Sequence, residues 1–179
     1  MRRILSILFV ILAIGFVQTI SADQEELVLI TSLEAESLKF SDAEWNQLMA
    51  ENWPDKGEGG LYYASKKADS IGPKILIQVP DVDENEDIPT IQALTPMDLL
   101  IVFEQTSMPV DMSSLYVVAK KGFFSKTLTE RLEPYVSGTT IDAKGVKIPK
   151  GKFLIEVTIA DQDGFKTTGS YLLKVNKGD

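Results

Sequence analysis

Carboxylates are the groups in this chain most able to do chemistry, because it contains neither thiol nor imidazole. There is no cysteine and no histidine among the 179 residues. That removes thiolate nucleophiles, cysteine-bound zinc, disulfides, iron–sulfur clusters and the commonest general base. Ser–His–Asp and Cys–His machinery is excluded outright. What remains is Asp and Glu, supported by lysines and tyrosines, so the chemistry open to the chain is hard-cation binding or carboxylate catalysis.

Two acidic groups stand out. Asp81-Val82-Asp83-Glu84-Asn85-Glu86-Asp87 places five carboxylates in seven residues. Asp81, Asp83 and Asp87 are candidate Ca²⁺ ligands, since Ca²⁺ takes oxygen donors. The run lacks the glycine and spacing of an EF-hand loop, and it reads equally as a solvated loop guarding a strand edge. Separately, Asp161 and Asp163 flank a turn that Asp111 can approach in a sandwich with alternating strands. These three form a second candidate metal group, set against ordinary turn chemistry in which Asp accepts bonds from loop N–H groups. Strand alternation puts the Asp81–Asp87 run at the opposite pole, which excludes one composite site. Asp111 can instead pair with Arg131. No carboxylate pair is fixed at the separation glycoside hydrolysis needs, so a small hydrolase is the least favoured reading.

The elements that must position these groups are strands. Phe153, Ile155, Val157 and Ile159 alternate with more polar neighbours, and Tyr171, Leu173 and Val175 do the same downstream. Between them lies Asp161-Gln162-Asp163-Gly164. A two-residue turn there would set the apolar face of one strand against the polar face of the other. A three-residue loop instead pairs Val157 with Gly169, Ile155 with Tyr171 and Phe153 with Leu173. It requires a positive φ at Gly164. Further strands are expected at Lys74–Val79, Leu99–Glu104, Leu115–Lys120, Phe123–Thr127 and Thr139–Asp142. With Lys152–Ala160 and Thr167–Val175 they make seven. Thr127–Leu132 is either a strand continuation or one helical turn. Lys120-Lys121-Gly122 reads as a hairpin turn with solvated lysines.

The N-terminal part differs. Met1-Arg2-Arg3 and the apolar run after it form a secretory signal peptide over 1–22, ending near Ala22. Residues 23–72 then make an N-terminal appendage, with a short strand at Glu26–Ser32. Ser41 and Glu44 form a capping box, Phe40 and Trp45 a hydrophobic staple, and Pro54 bounds a helix over about 42–51. Trp45, Leu48 and Met49 share one face of it. That face either packs on the sandwich or binds a partner. Trp53 and Tyr62-Tyr63 are aromatic enough for a sugar platform, although packing explains them too.

Several spacings in the main domain, 73–177, resemble those of Ig-like β-sandwich domains of bacterial exported proteins. They are Pro73-x-Ile75, Val110-Asp111-x-x-Ser114-Leu115-x-Val117, Thr129-x-Arg131-Leu132, Pro149-x-Gly151-x-Phe153 and Ala160-Asp161-x-Asp163-Gly164. The resemblance implies a mainly β, Ig-like antiparallel sandwich of about seven strands. It also implies a non-catalytic interaction or structural module of the envelope, with an envelope protein or glycan as partner. A Ca²⁺-dependent adhesion or stability module is the second reading. Export without cysteine suits a bacterial periplasmic or secreted protein. The net charge of −8 repels nucleic acid and anionic headgroups. No membrane insertion is expected once the leader is removed.

Overall fold

The computed structural model describes residues 27–50, 71–84 and 89–178. The leader expected at 1–22, Trp53, Tyr62, Tyr63 and Asp87 lie outside the described residues. Two sheets form a β-sandwich. One has four strands in the order β1 (Lys74–Val79), β4 (Met97–Glu104), β8 (Thr140–Val146), β7 (Val136–Ser137). The other runs β2 (Val82–Asp83), β3 (Thr90–Thr95), β10 (Lys166–Lys177), β9 (Gly151–Asp161), β5 (Val110–Lys121), β6 (Phe124–Thr127). The mainly β sandwich expected from the sequence is what forms.

The β9–β10 hairpin sits inside the larger sheet with the register that parity demands. Val157 opposes Gly169, Ile155 opposes Tyr171 and Phe153 opposes Leu173. Gly164 has φ 85°, and its N–H donates to the Asp161 carbonyl at 2.9 Å. Phe153, Val157, Ile159, Tyr171, Leu173 and Val175 face the shared core. Phe103 and Ile101 meet them from the smaller sheet.

Two sequence expectations need correction. First, the sandwich is not wholly antiparallel. The acidic stretch after Pro80 contains β3, whose Ile91 and Ala93 point into the core. β3 fills the free edge of β10 in a parallel sense, from Leu172 opposite Thr90 to Lys177 opposite Thr95. Second, the strand expected at Glu26–Ser32 shrinks to a single parallel bridge between Val28 and Lys147. A helix, α1 (Ser32–Leu38), follows at once. Its capping box outweighs the apolar run: the Glu34 N–H donates to Thr31 Oγ1 at 3.3 Å, and the Thr31 N–H to Glu34 Oε2 at 3.0 Å. Of the two readings open for Thr127–Leu132, one helical turn is the one that forms, α3 (Thr129–Leu132), directly after the end of β6.

Residues 27–50 are part of the sandwich's packing. Leu29, Ile30, Ala35 and Leu38 belong to the main core, and α1 lies beside β5 and β6. The chain then crosses β9 at Gly151, where a Cβ would lie 3.4 Å from the Lys39 side chain. The Phe40 N–H donates to the Lys152 carbonyl at 2.8 Å. This sets the second helix, α2 (Asp42–Ala50), on the outer face of the six-stranded sheet. Its expected capping box forms, with the Ser41 N–H donating to Glu44 at 2.8 Å.

Arg131 holds this N-terminal segment in place. Its guanidinium donates to both Glu34 oxygens at 2.8 Å and to the Leu29 carbonyl at 2.7 Å. The Arg131 hydrogen bond is the main reason the Glu34 carboxyl sits well below its ordinary range, with Thr31 and Lys126 adding to it. A carboxylate whose folded pKa is depressed stabilises the fold fully above its unfolded value, and that stabilisation is lost as pH falls below it. Arg131→Met should therefore cost about 1–2 kcal/mol at neutral pH, allowing for partial solvent screening. The gap to the parent protein should narrow as pH falls below Glu34's ordinary 4.5. Urea midpoints at neutral pH and at about pH 3 check both statements; an unchanged gap would detach the effect from Glu34.

Candidate binding surfaces

The residues carrying the sequence motifs are occupied in repairing the backbone. β5 is irregular between Asp111 and Tyr116, where the pairing with β9 slips. The Ala160 N–H, left without a ladder carbonyl, donates to Ser114 Oγ at 2.7 Å. Ser114 Oγ in turn donates to the Asp111 carbonyl at 2.6 Å. Asp111 Oδ1 accepts from the Ser113 N–H at 3.1 Å and from its hydroxyl at 2.6 Å. The Val-Asp-x-x-Ser-Leu spacing thus encodes a bulge and its patch. Thr129 does similar work, accepting the Val117 N–H at 2.9 Å. Arg131 turns to Glu34 and Leu29 rather than to Asp111.

Asp161 is buried, at 2% exposure. Its Oδ1 accepts the N–H groups of Asp163 at 3.0 Å and Phe165 at 2.9 Å. Its Oδ2 is buried and has no hydrogen-bond partner. Asp163 is exposed. Asp111, Asp161 and Asp163 share a pole, since Asp111 opposes Ala160, but Asp111 Oδ1 and Asp161 Oδ1 each accept from their own local loop groups. Asp81 and Asp83 are exposed. Among the described residues, no three acidic side chains converge where they could hold a metal ion.

Trp45 is buried against Leu154 and Leu172, with Phe40, Leu48 and Met49 packed around it. The Phe40 and Trp45 rings meet edge-on at 6.3 Å. Lys152 Nζ lies 5.2 Å from the Trp45 ring centre and 2.9 Å from Asp42. The apolar stripe of α2 is therefore directed at the sheet.

An apolar void of about 40 Å³ lies between the sheets near Ile77, Leu99, Ile101, Val157 and Tyr171. It lacks the polar partners a water needs and is far below the size of a ligand pocket. Tyr171 is pushed up to about 12, first by burial and then by the charge of Glu84.

The feature that sequence reasoning missed is the β5–β6 hairpin tip. Gly122, at φ 56°, opens a two-residue turn. Phe123 is fully exposed at 106%, and Phe124 is exposed at 62%. Each of the three lysines around the tip is paired with a carboxylate while staying partly exposed. Lys120 pairs with Glu156 at 2.6 Å, Lys121 with Glu44 at 3.0 Å and Lys126 with Glu34 at 3.1 Å. Lys121 Nζ also donates to the Lys39 carbonyl at 2.9 Å and lies 5.6 Å from the Phe40 ring centre. The base of the hairpin is thus fixed to β9, α2 and α1, while two phenyl rings project. The available signal was Phe-Phe directly after Lys-Gly, with no alternating partner to bury the first ring.

The architecture is a two-sheet β-sandwich with helices on one end and one face. No family model matches the chain, and no curated protein matches it. Among solved structures it is similar to CopC from Methylosinus trichosporium OB3b, at 11% identity and TM-score 0.35, over 60% of this chain and 96% of that one. It is also similar to murine CRIg, at 8% identity and TM-score 0.32, over 59% of this chain and 99% of that one. Neither likeness is strong enough to bear on function. No helix among the described residues is long and apolar enough to cross a membrane.

Two outcomes follow from the packing and the turn. Trp45→Ala should lower stability by about 2–4 kcal/mol, read as a fall in the denaturation midpoint; an unchanged midpoint would mean that α2 does not hold to the sheet. Asp161→Ala should cost about 2 kcal/mol by leaving two loop N–H groups unpaired. Its loss should be the same in Ca²⁺ and in EDTA, and a midpoint that rises with Ca²⁺ in the parent but not in the variant would restore a metal role for this turn.

Proposed function

We propose that this chain is an exported, non-catalytic binding module of the bacterial cell envelope that takes a protein or glycan partner through the β5–β6 hairpin tip. The observation that carries the reading is the pair Phe123 and Phe124, exposed on a hairpin whose base is fixed by three ion pairs. A rigid apolar projection loses little conformational freedom on docking. Exposed aromatic side chains of this kind act as anchors that fill a partner's pocket. Two phenyl rings favour an apolar protein pocket over a sugar, which brings hydroxyls needing partners. The paired lysines leave no free basic patch beside the rings, and the chain carries −8 overall. That disfavours an anionic membrane as the docking surface. The leader at 1–22 supports export.

The test compares the parent protein with the double variant Phe123→Ser, Phe124→Ser. Each is immobilised and exposed to detergent-solubilised envelope proteins and, separately, to purified envelope glycans. The double variant should lose at least about tenfold of the specific capture, as removal of a hot spot worth about 1.4 kcal/mol or more implies. Its melting temperature should be unchanged, because neither ring is buried. Equal capture by both proteins would remove the tip as the binding element.

A further inference from the structure

We infer that the outer edge of β1 docks a second copy of this chain, antiparallel, about a twofold axis at Leu76. Among the described residues, β1 is the edge strand of the four-stranded sheet, with nothing paired on its outer side. Which of its backbone groups face outward follows from β4. The Phe103 N–H donates to the Thr139 carbonyl at 2.9 Å, on the β8 side. Phe103 and its alternate Ile101 therefore turn their backbone groups away from β1. Their opposite residues in β1, Ile75 and Ile77, turn theirs away from β4 and into the open edge. Pro73 precedes the strand, and a bulge between Ile77 and Val79 ends its regular part. The usable edge is thus the N–H and C=O of Ile75 and Ile77.

This short edge is self-complementary. An antiparallel twofold at Leu76 sets Ile75 of one copy opposite Ile77 of the other. Each such pair exchanges both hydrogen bonds, so every outward group on both copies is satisfied. The side chains agree with the same register. Ile75 and Ile77 point into their own cores. Leu76, half-buried on the opposite face, meets Leu76 of the second copy, and Lys74 meets Gln78. No like charges oppose one another.

The edge strand at the far side of the sandwich behaves differently. The Leu128 N–H donates to the Val117 carbonyl at 2.8 Å, which leaves Ser125 and Thr127 facing outward from β6. The equivalent twofold there would set Lys126 against Lys126. β6 puts its lysine on the twofold itself, where like charges would discourage edge pairing, whereas β1 puts Leu76 there and keeps Lys74 opposite Gln78. Joining two copies through β1 makes one continuous eight-stranded sheet from two four-stranded ones.

The chain's lack of cysteine permits a register-specific test. Position 76 becomes a non-hydrogen-bonded pair with itself, with Cα atoms about 4.5 Å apart, inside the range a disulfide bridges. Under mild oxidation Leu76→Cys should give a covalent dimer more than about tenfold faster than Lys74→Cys or Gln78→Cys, whose own symmetry mates lie out of bridging range. The parent protein should show a concentration-dependent dimer in sedimentation. Leu76→Lys, which sets two charges face to face at a half-buried site, should abolish that dimer with its circular dichroism unchanged. Equal cross-linking at 74, 76 and 78 would mean random collision and overturn the inference. So would a parent that stays monomeric at every concentration, or cross-linking by Lys126→Cys in place of Leu76→Cys.

Discussion

The Arg131 guanidinium joins two parts of the chain about a hundred residues apart, and the closed end of the sandwich depends on it. Its two bonds to Glu34 and one to the Leu29 carbonyl fix both the start of α1 and the chain before it. Those residues carry Leu29, Ile30, Ala35 and Leu38 into the core. Beneath them lie Leu128 and Leu132, at 0% and 1% exposure. Moving a charge out of water is unfavourable unless its partners are well placed. Here a bidentate pair plus a carbonyl supplies them, and Glu34 doubles as the helix cap. One side chain thus ends a helix, anchors a segment and covers a core, which is why α3 places Arg131 where it does.

The same need for partners explains the motif residues. A sandwich whose strands slip, bend and turn leaves backbone N–H groups without ladder partners, and each must find another acceptor. Ser114 takes the Ala160 N–H, Thr129 takes that of Val117, and Asp161 takes those of Asp163 and Phe165. Side chains that look like potential catalytic or metal-binding groups in the sequence are acceptors for particular breaks in the sheets. Their spacing therefore identifies a fold and carries little information on chemistry.

Period-2 alternation made the central hairpin legible down to its register. The reason is that parity leaves a single loop length compatible with one buried face. The capping box and staple at Ser41, Glu44, Phe40 and Trp45 were legible because they are local. The failures were all non-local or hidden by a stronger neighbour. β3 is short and follows an acidic run, and its parallel pairing is set by β10, some eighty residues later. At Thr31 a second capping box was present in the sequence, but the apolar run before it drew the strand reading. Arg131's partner could not be read at all, since Glu34 reaches it only after the N-terminal segment has folded over the end. Lys120 and Lys121 were read as solvated for the same reason: their partners Glu156 and Glu44 come from two other elements.

The three lysines of the β5–β6 hairpin also bear on where recognition can occur. The protein is acidic, yet each lysine at the hairpin has a carboxylate partner, with Glu34 shared between Lys126 and Arg131. The tip is then a locally neutral, apolar point on a negatively charged body. Long-range steering by charge favours clefts and patches of one sign, and this tip offers neither. What it offers is two phenyl rings whose transfer from water is favourable and whose base is already immobile. On the same molecule the open edge of β1 offers backbone hydrogen bonds with almost no charge. Asp111 and Asp161, by contrast, turn one carboxylate oxygen each to their own loop N–H groups. Among the described residues, the hairpin tip and the outer edge of β1 are thus apolar and backbone in character, and neither contains the acidic residues that first suggested a site.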